Sequence, residues 1–492
     1  MYTGESVMRK ITATLLLAAM LLSMAACGET AQVETTADTA AQGETAPETE
    51  ETRAMHALPE DLDFGGAVFN MAYPDWQGYK FYFFAEEATG DAMNDALYSR
   101  MIKTEEYLNV DVTQTNTGTI ADVVTQTKNV VTAGDDAFSL SLLHCIQGVS
   151  ELVTGGYIYN LDTLPNVNLE ADWWNRAQMD VLRLGNNTYY GISDFMIPCP
   201  YAIFFNKEMI VDNGMENPYE LVYEGKWTLD KFVNMAVAVT QDLNGDGQFT
   251  MDDVVGVTCN EVSKYIPFMT AADQFITSTG DDGKIYLDMN NEKSISIVET
   301  VYNLMNTPGV VSTPPDDKEE SMIQMDTGRL LFRLGAITAA EQYRDCEIDV
   351  GILPYPKYDE AQENYISQDW GGLMCVPNSI SNPDMVGATM ELLSWESANE
   401  VIPAYYDVTL AGKMARDEDS RNMLELLFDT IAYEIGGNYF GFSSGFSDLF
   451  YTLGRMVVIN KSADFASWYA KNEKAAVSTI DKFYEGLEKV EG

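Results

Sequence analysis

Short side chains bearing oxygen stand at alternate positions in DLNGDGQFTMDD: Asp242, Asn244 and Asp246. Gly247 follows at the sixth position, Gln248 offers its carbonyl at the seventh, Thr250 stands at the ninth and Asp253 closes the run at the twelfth. Calcium is a hard cation that takes roughly six to eight oxygens, and a glycine at the sixth position permits the sharp turn that lets one loop supply most of them. The spacing therefore predicts a structural Ca2+ held by Asp242, Asn244, Asp246, Gln248 and Asp253. The competing reading is an Asn-Gly/Asp-Gly surface turn in a very acidic chain. Phe249, apolar in an otherwise polar loop, favours the metal, and the lack of a second such loop favours a staple over a docking device.

Other chemistry is constrained by what is scarce. The 492 residues include two histidines, His56 and His144, so a histidine-based zinc site or a Ser-His-Asp triad would have to be built on His144. Asp and Glu number 76 against 29 Lys and Arg, a formal charge of −47. That balance excludes nucleic acid as a partner and disfavours anionic membrane surfaces, because both are bound through cations. With so many acids, no spacing singles out the carboxylate pair of a glycoside hydrolase. Of six cysteines, Cys145, Cys199, Cys259, Cys346 and Cys375 are widely spaced with no CxxC, which predicts buried thiols, although one disulfide pair stays open.

The segments that position these groups follow in order. Residues 8–27, MRKITATLLLAAMLLSMAAC, carry Arg9 and Lys10, an apolar run too short to span a membrane, and small residues before Cys27. Residues 28–56 are rich in Thr, Glu and Ala and poor in large apolar side chains, which predicts a disordered acidic tether. Beyond it, strands at 66–73, 110–115 and 138–143 alternate with helices, the first over 91–108. This is the pattern of an α/β fold with a mainly parallel sheet covered by helices. Ligands in such folds bind at the carboxyl ends of the strands, where Trp76, Tyr79, His144 and Gln147 fall. Pro198-Cys199-Pro200 and Trp370-Gly371-Gly372 read as crossings between two lobes. Trp227 opens an amphipathic helix capped by Thr228, with Phe232, Met235, Ala236 and Val239 on one face. The stretch 383–492 reads as helical throughout.

Several of these stretches resemble known families. The 242–253 loop, with Asp at the twelfth position, resembles those of dockerin modules. The run before Cys27 resembles the lipobox of bacterial lipoproteins, with Met where Leu is commoner, and implies lipidation of Cys27. Together with GDAMNDALYSRMIKTEEYLNVDV (90–112), FFNKEMI (204–210), EGKWTLDKFVNMA (224–236), GILPYPKYDEAQENY (351–365) and LAGKMARDEDSRNMLELLFD (410–429), it resembles the extracellular solute-binding proteins of family 1. Those are lipoprotein receptors of bacterial ABC importers, of carbohydrate type in many members. The resemblance implies a two-lobed periplasmic-binding-protein-like fold of type II, with a ligand cleft between lobes joined by crossing strands. It places residues 57–199 and 373–432 in lobe 1 and 200–372 and 433–492 in lobe 2. It also implies a small solute, most simply a sugar or oligosaccharide, ABC permease subunits as partners, a lipid anchor on the outer face of the cell membrane, and no catalysis.

A sugar presents apolar C–H faces that aromatic rings cover and hydroxyls that carboxylates, amides and Arg satisfy. The expected ligand residues are Trp76 and Tyr79 in the loop after the first strand, His144 and Gln147 after the third, Asp194 and Tyr201 flanking the first crossing, Arg333 on a later strand, and Asp369 with Trp370 before the second crossing. Simpler packing roles compete at each: loop packing for Trp76 and Tyr79, a satisfied strand-end histidine for His144, a salt bridge for Arg333. Two other classes compete with the receptor reading, a secreted carbohydrate-active enzyme and a calcium-dependent surface adhesion or scaffold module.

Overall fold

The computed structural model describes residues 55–76, 84–250, 252–258, 265–312, 323–343, 346–369, 371–409, 417–450 and 452–491. Cys27 and its export segment, nearly all of the tether, Tyr79, Cys259 and Trp370 lie outside the described residues.

The first sheet starts with β1 (Ala67–Tyr73), whose Phe69 and Met71 point inward while Val68 is exposed. Helix α1 (Ala92–Leu108) begins where the Asp91 carboxylate accepts the Met93 and Asn94 amides at 3.1 and 3.0 Å. β2 (Val110–Asn116) then pairs parallel with β1 along its whole length. Helix α2 (Ile120–Ala133) follows from a Thr119/Asp122 capping box. β3 (Leu140–His144), buried at every residue, joins the other side of β1 in parallel and leads into the short helix α3 (Val149–Thr154).

After the Pro198–Pro200 crossing, the second lobe is built on β4 (Tyr201–Asn206), α4 (Leu229–Val239), β5 (Val255–Thr258), α5 (Ile266–Ala271), the hairpin β6 (Thr277–Thr279) and β7 (Ile285–Leu287), α6 (Glu292–Asn306), β8 (Val311–Ser312), β9 (Leu330–Ala336) and β10 (Val350–Leu353). The chain returns through β11 (Ser367–Gln368) to β12 (Gly372–Cys375), then α7 (Pro383–Glu396), α8 (Glu418–Asp429), β13 (Ile431–Ala432), α9 (Ile435–Phe440) and the long α10 (Phe465–Glu491). The sheets run β12-β3-β1-β2 and β10-β4-β9-β5-β8, giving the two α/β lobes expected.

Two expectations are corrected. The second sheet is mixed, since β4 runs antiparallel to both β9 and β10 while β5 is parallel to β9 and β8. The stretch after 383 is not helical throughout: β13 is a strand, pairing parallel with β11. The packing also divides the segment 373–432. Helix α8 lies on β10, with Leu424 and Leu427 in one core with Phe204 and Ile352. Asp417, capping that helix, pairs with the Lys207 ammonium, and the Tyr219 hydroxyl bonds Ser420 at 2.9 Å. Polar and apolar contacts thus hold α8 on the second lobe. Conversely, α10 packs on α3 beside the first sheet as well as on β7 and α6.

The densest part of the second core is Trp227, with no exposed surface. Its indole N–H donates to the Pro354 carbonyl at 2.9 Å, and its ring meets Phe232 and Phe332 at 6.0 and 5.8 Å. Helix α4 starts beside it, with Thr228 accepting the Lys231 amide and Phe232, Met235, Ala236 and Val239 buried, the face that its periodicity predicts. Trp227→Ala removes a fully packed indole and strands a carbonyl. It should lower the unfolding free energy by about 4 kcal/mol, read by urea denaturation.

Candidate functional site

Three chain crossings meet between the lobes, and one carboxylate joins them. Asp369, 7% exposed, follows β11 and forms a bridge with Pro200 on the first crossing. Its Oδ1 accepts the Cys199 amide at 2.7 Å, and its Oδ2 accepts the Tyr433 hydroxyl at 2.9 Å from just after β13. A Cβ on Gly371 would collide with Asp369 Oδ2, so the carboxylate folds back over a residue that has to lack a side chain.

A pocket of about 590 Å³, mouth included, opens beside this junction. Cys145 and Ile146, immediately after β3, form one part of the wall, α5 and the segment Gln274–Ile276 ahead of β6 another, and Gln368, Asp369, Tyr433, Glu434 and Asn438 line it from the crossings and α9. The wall is polar where the crossings meet it and apolar where Ile266, Met269 and Met289 close it, the mixture that suits a small polar solute with apolar faces. Glu434 caps α9. Its Oε2 accepts the Gly437 amide at 2.6 Å, and its Oε1 accepts the Thr277 amide at 2.8 Å and the Thr277 hydroxyl. Burial raises its carboxyl to about 7 against these hydrogen bonds, which act in the opposite direction.

The expected ligand residues divide. Asp369 lines the pocket; the other described ones do not. Trp76 and His144 come together as a pair of rings 4.6 Å apart, with Phe442 on the other side of His144 at 6.3 Å. His144 is buried, and burial lowers its imidazole to about 4, so it is neutral at pH 7. Gln147 is half-buried in the turn beyond, its amide bonded to the His144 carbonyl at 3.1 Å. Asp194 is half-buried ahead of the first crossing. Tyr201 and Arg333 face opposite sides of the second sheet, Tyr201 against Tyr355 and Arg333 donating to the Tyr343 hydroxyl at 3.0 Å, both buried. Tyr201 and Arg333 are therefore packed within the second lobe. Sequence reasoning does not single out Glu434, Gln274, Gln368 or Asn438. Gln368 adjoins Asp369 in sequence, but nothing local marks Glu434 or Gln274, which reach the pocket through the β11–β13 pairing and the position of α5.

The 242–253 loop has an all-oxygen donor set, which suits a hard cation. Gly247 has φ +78°, the left-handed turn that the sixth position requires. Asp242 accepts the Gly245 and Gly247 amides at 2.7 Å, and the Asp253 carboxylate accepts the Leu243 and Thr250 amides at 3.0 and 2.8 Å. These bonds preform the loop and leave further lone pairs on the same oxygens. Among the described residues, no group of three or more His, Cys, Asp or Glu side chains is gathered tightly enough to hold a metal. Cys145, Cys199, Cys346 and Cys375 are thiols outside any disulfide.

No protein-family model and no curated protein matches the sequence. Solved structures do. An ABC substrate-binding protein from Listeria monocytogenes, in complex with cycloalternan, aligns over 86% of this chain and 99% of its own with TM-score 0.54 at 11% identity. The galacto-N-biose/lacto-N-biose I-binding protein of Bifidobacterium longum, in complex with lacto-N-biose, aligns over 86% and 98% with TM-score 0.56 at 11% identity. The GacH receptor of Streptomyces glaucescens aligns over 86% and 99% with TM-score 0.53 at 14% identity. The fold is that of ABC-transporter solute-binding proteins. In that fold the pocket lies where the lobes are joined, so bending of the crossings would change its shape.

His144 and Glu434 have opposite linkage to pH. His144 titrates at about 4 in the folded chain against 6.5 for the free imidazole, so its contribution is full above 6.5 and is lost as pH falls through 4. Glu434 titrates at about 7 against 4.5, so its contribution is full below 4.5 and is lost as pH rises through 7. On acidification from pH 7 to 4, wild type should lose about 3 kcal/mol relative to His144→Asn and should gain relative to Glu434→Gln, measured by urea denaturation at each pH.

Proposed function

We propose that this chain is the solute receptor of an ABC importer, moored outside the cell through a lipid on Cys27. It takes a sugar or oligosaccharide into the pocket at the crossings and hands it unaltered to the permease subunits. The observation that carries this reading is the extent of the likeness: 86% of the chain aligns with nearly the whole of binding proteins solved with cycloalternan and lacto-N-biose. The pocket chemistry agrees. The carboxamides of Gln368 at the crossing and Gln274 after α5 meet hydroxyls, and apolar side chains from α5 meet C–H faces. Tyr79 and Trp370 are the proposed stacking rings, since Trp76 packs on His144 away from the pocket lining. No described helix is long and apolar enough to cross a membrane, so attachment in this reading rests on the lipid.

A thermal-shift screen of mono- and oligosaccharides, peptides and amino acids tests it. A saccharide at about a hundred times its Kd should add about 2.7 kcal/mol of stability and be recovered chemically unchanged. Trp370→Ala should abolish that shift and leave the unliganded Tm within a degree or so of wild type. Hydrolysis of the saccharide would overturn the receptor reading.

For the 242–253 loop we propose a structural Ca2+, supported by the ligand spacing and the left-handed Gly247. The metal would pin the loop between α4 and β5. Stripping the protein with a chelator should lower the Tm by several degrees, with recovery on adding Ca2+ and a smaller response in Asp242→Ala. An unchanged Tm removes the metal from the account.

A further inference from the structure

The polar lining of the pocket has one sign. Asp369 and Glu434 contribute carboxyl groups, Gln274, Gln368 and Asn438 contribute carboxamides, and no Lys, Arg or His is among the described lining residues. Asn438 is committed, its Oδ1 accepting the Glu434 amide and its Nδ2 donating to the Cys145 carbonyl at 3.1 Å each. Gln274 is 7% exposed and donates through Nε2 to the carbonyls of Phe275 and Asp288 at 2.9 and 3.2 Å. No hydrogen bond to its Oε1 is made among the described residues, and Gln274 lines the pocket. Gln368 accepts the Thr270 hydroxyl at 3.0 Å through Oε1, which leaves its Nε2 uncommitted.

Glu434 lacks something different. Its oxygens already accept two amides and a hydroxyl, so a neutral sugar hydroxyl would meet lone pairs that are largely taken. What it lacks is charge balance, because no Lys or Arg pairs with it among the described residues and burial outweighs three donors. An ammonium supplies that balance, and a second hydroxyl does not.

We propose that the solute of this pocket carries a protonated amino group, as in a hexosamine-containing saccharide. The proposal rests on the receptor reading and narrows its substrate class. The ammonium sits in the field of Glu434 and Asp369 and donates to Gln274 Oε1, while Gln368 Nε2 meets a neighbouring oxygen. Uronates and sugar phosphates are disfavoured, since the described lining residues include no cation to pair with them. Besides these two acids, the titratable groups on the wall are Tyr433 and Cys145, and burial pushes the Cys145 thiol up, which keeps it neutral.

The test is calorimetry at pH 7.5 with matched amino, N-acetylamino and hydroxyl sugars of the gluco, galacto and manno series, as mono- and disaccharides. The amino member of at least one series should bind roughly tenfold tighter than its two counterparts. The advantage should shrink at pH 5.5, where Glu434 takes up a proton and the amine keeps its own. Glu434→Gln, checked for folding by its melting curve, should lose the preference while still binding the hydroxyl sugar. If that variant does not fold, the wild-type pH comparison decides. Equal or weaker binding of the amino member overturns this inference and leaves the receptor standing. Binding of no member of any series overturns both.

Discussion

A single buried carboxylate holds the two halves of this molecule in register. Burying Asp369 is costly unless its oxygens are bonded, and the cost is met by donors that arrive from different chain crossings. Cys199 donates from the first and Tyr433 from the third, while Asp369 itself belongs to the second. Three strands of chain far apart in sequence are thereby fixed to one another by geometry that none of them specifies alone. The Pro198-Cys199-Pro200 run keeps the first crossing extended and out of any helix, and Gly371 leaves space for the carboxylate to fold back. The joint is consequently narrow, polar and short of regular structure, which is the form a hinge needs.

The same region holds two acid–base groups whose ionisation burial disturbs in opposite directions on the pH scale. His144, at the end of β3, is kept neutral by desolvation between Trp76 and Phe442. Glu434, across the pocket, is pulled toward neutrality by the same cause despite its hydrogen bonds. One loses its contribution on acidification and the other gains, over overlapping windows, so their effects on stability offset one another through mildly acidic pH.

Much of this is legible in the sequence, and the reasons differ by element. The strands β1, β2, β3 and β9 and the helices α1, α4 and α6 declare themselves through periodicity and caps, because one buried face suffices to encode each. Asp91, Thr228 and Asn206 each cap the helix that follows them. The two-residue strands β11 and β13 carry no such pattern: a pair that short is set by its partners and not by its own residues. The direction of β4 against β9 likewise depends on how the chain re-enters the second lobe, which alternation of strands and helices does not fix. Asp369 is identifiable because it precedes a Gly-Gly crossing. Arg333 and Tyr201 look equally suited to ligand, yet β4 and β9 turn them into opposite core layers, a consequence of register that residue type does not reveal.

The long helix α10 sets a bound on how the joint works. It packs on α3, beside the first sheet, and reaches the hairpin of the second lobe, where the Tyr484 hydroxyl accepts the Ile285 amide at 2.8 Å. A lobe rotation that opened the pocket widely about the crossings would pull this helix from one of its two seats, exposing apolar surface in the process. On the second lobe α10 meets the two-stranded hairpin and α6. The hairpin also supplies Thr277, whose amide and hydroxyl hold Glu434 at the pocket wall. Helix α10, the β6–β7 hairpin and the carboxylate that caps α9 therefore form one connected group of contacts, running from the first lobe to the pocket wall.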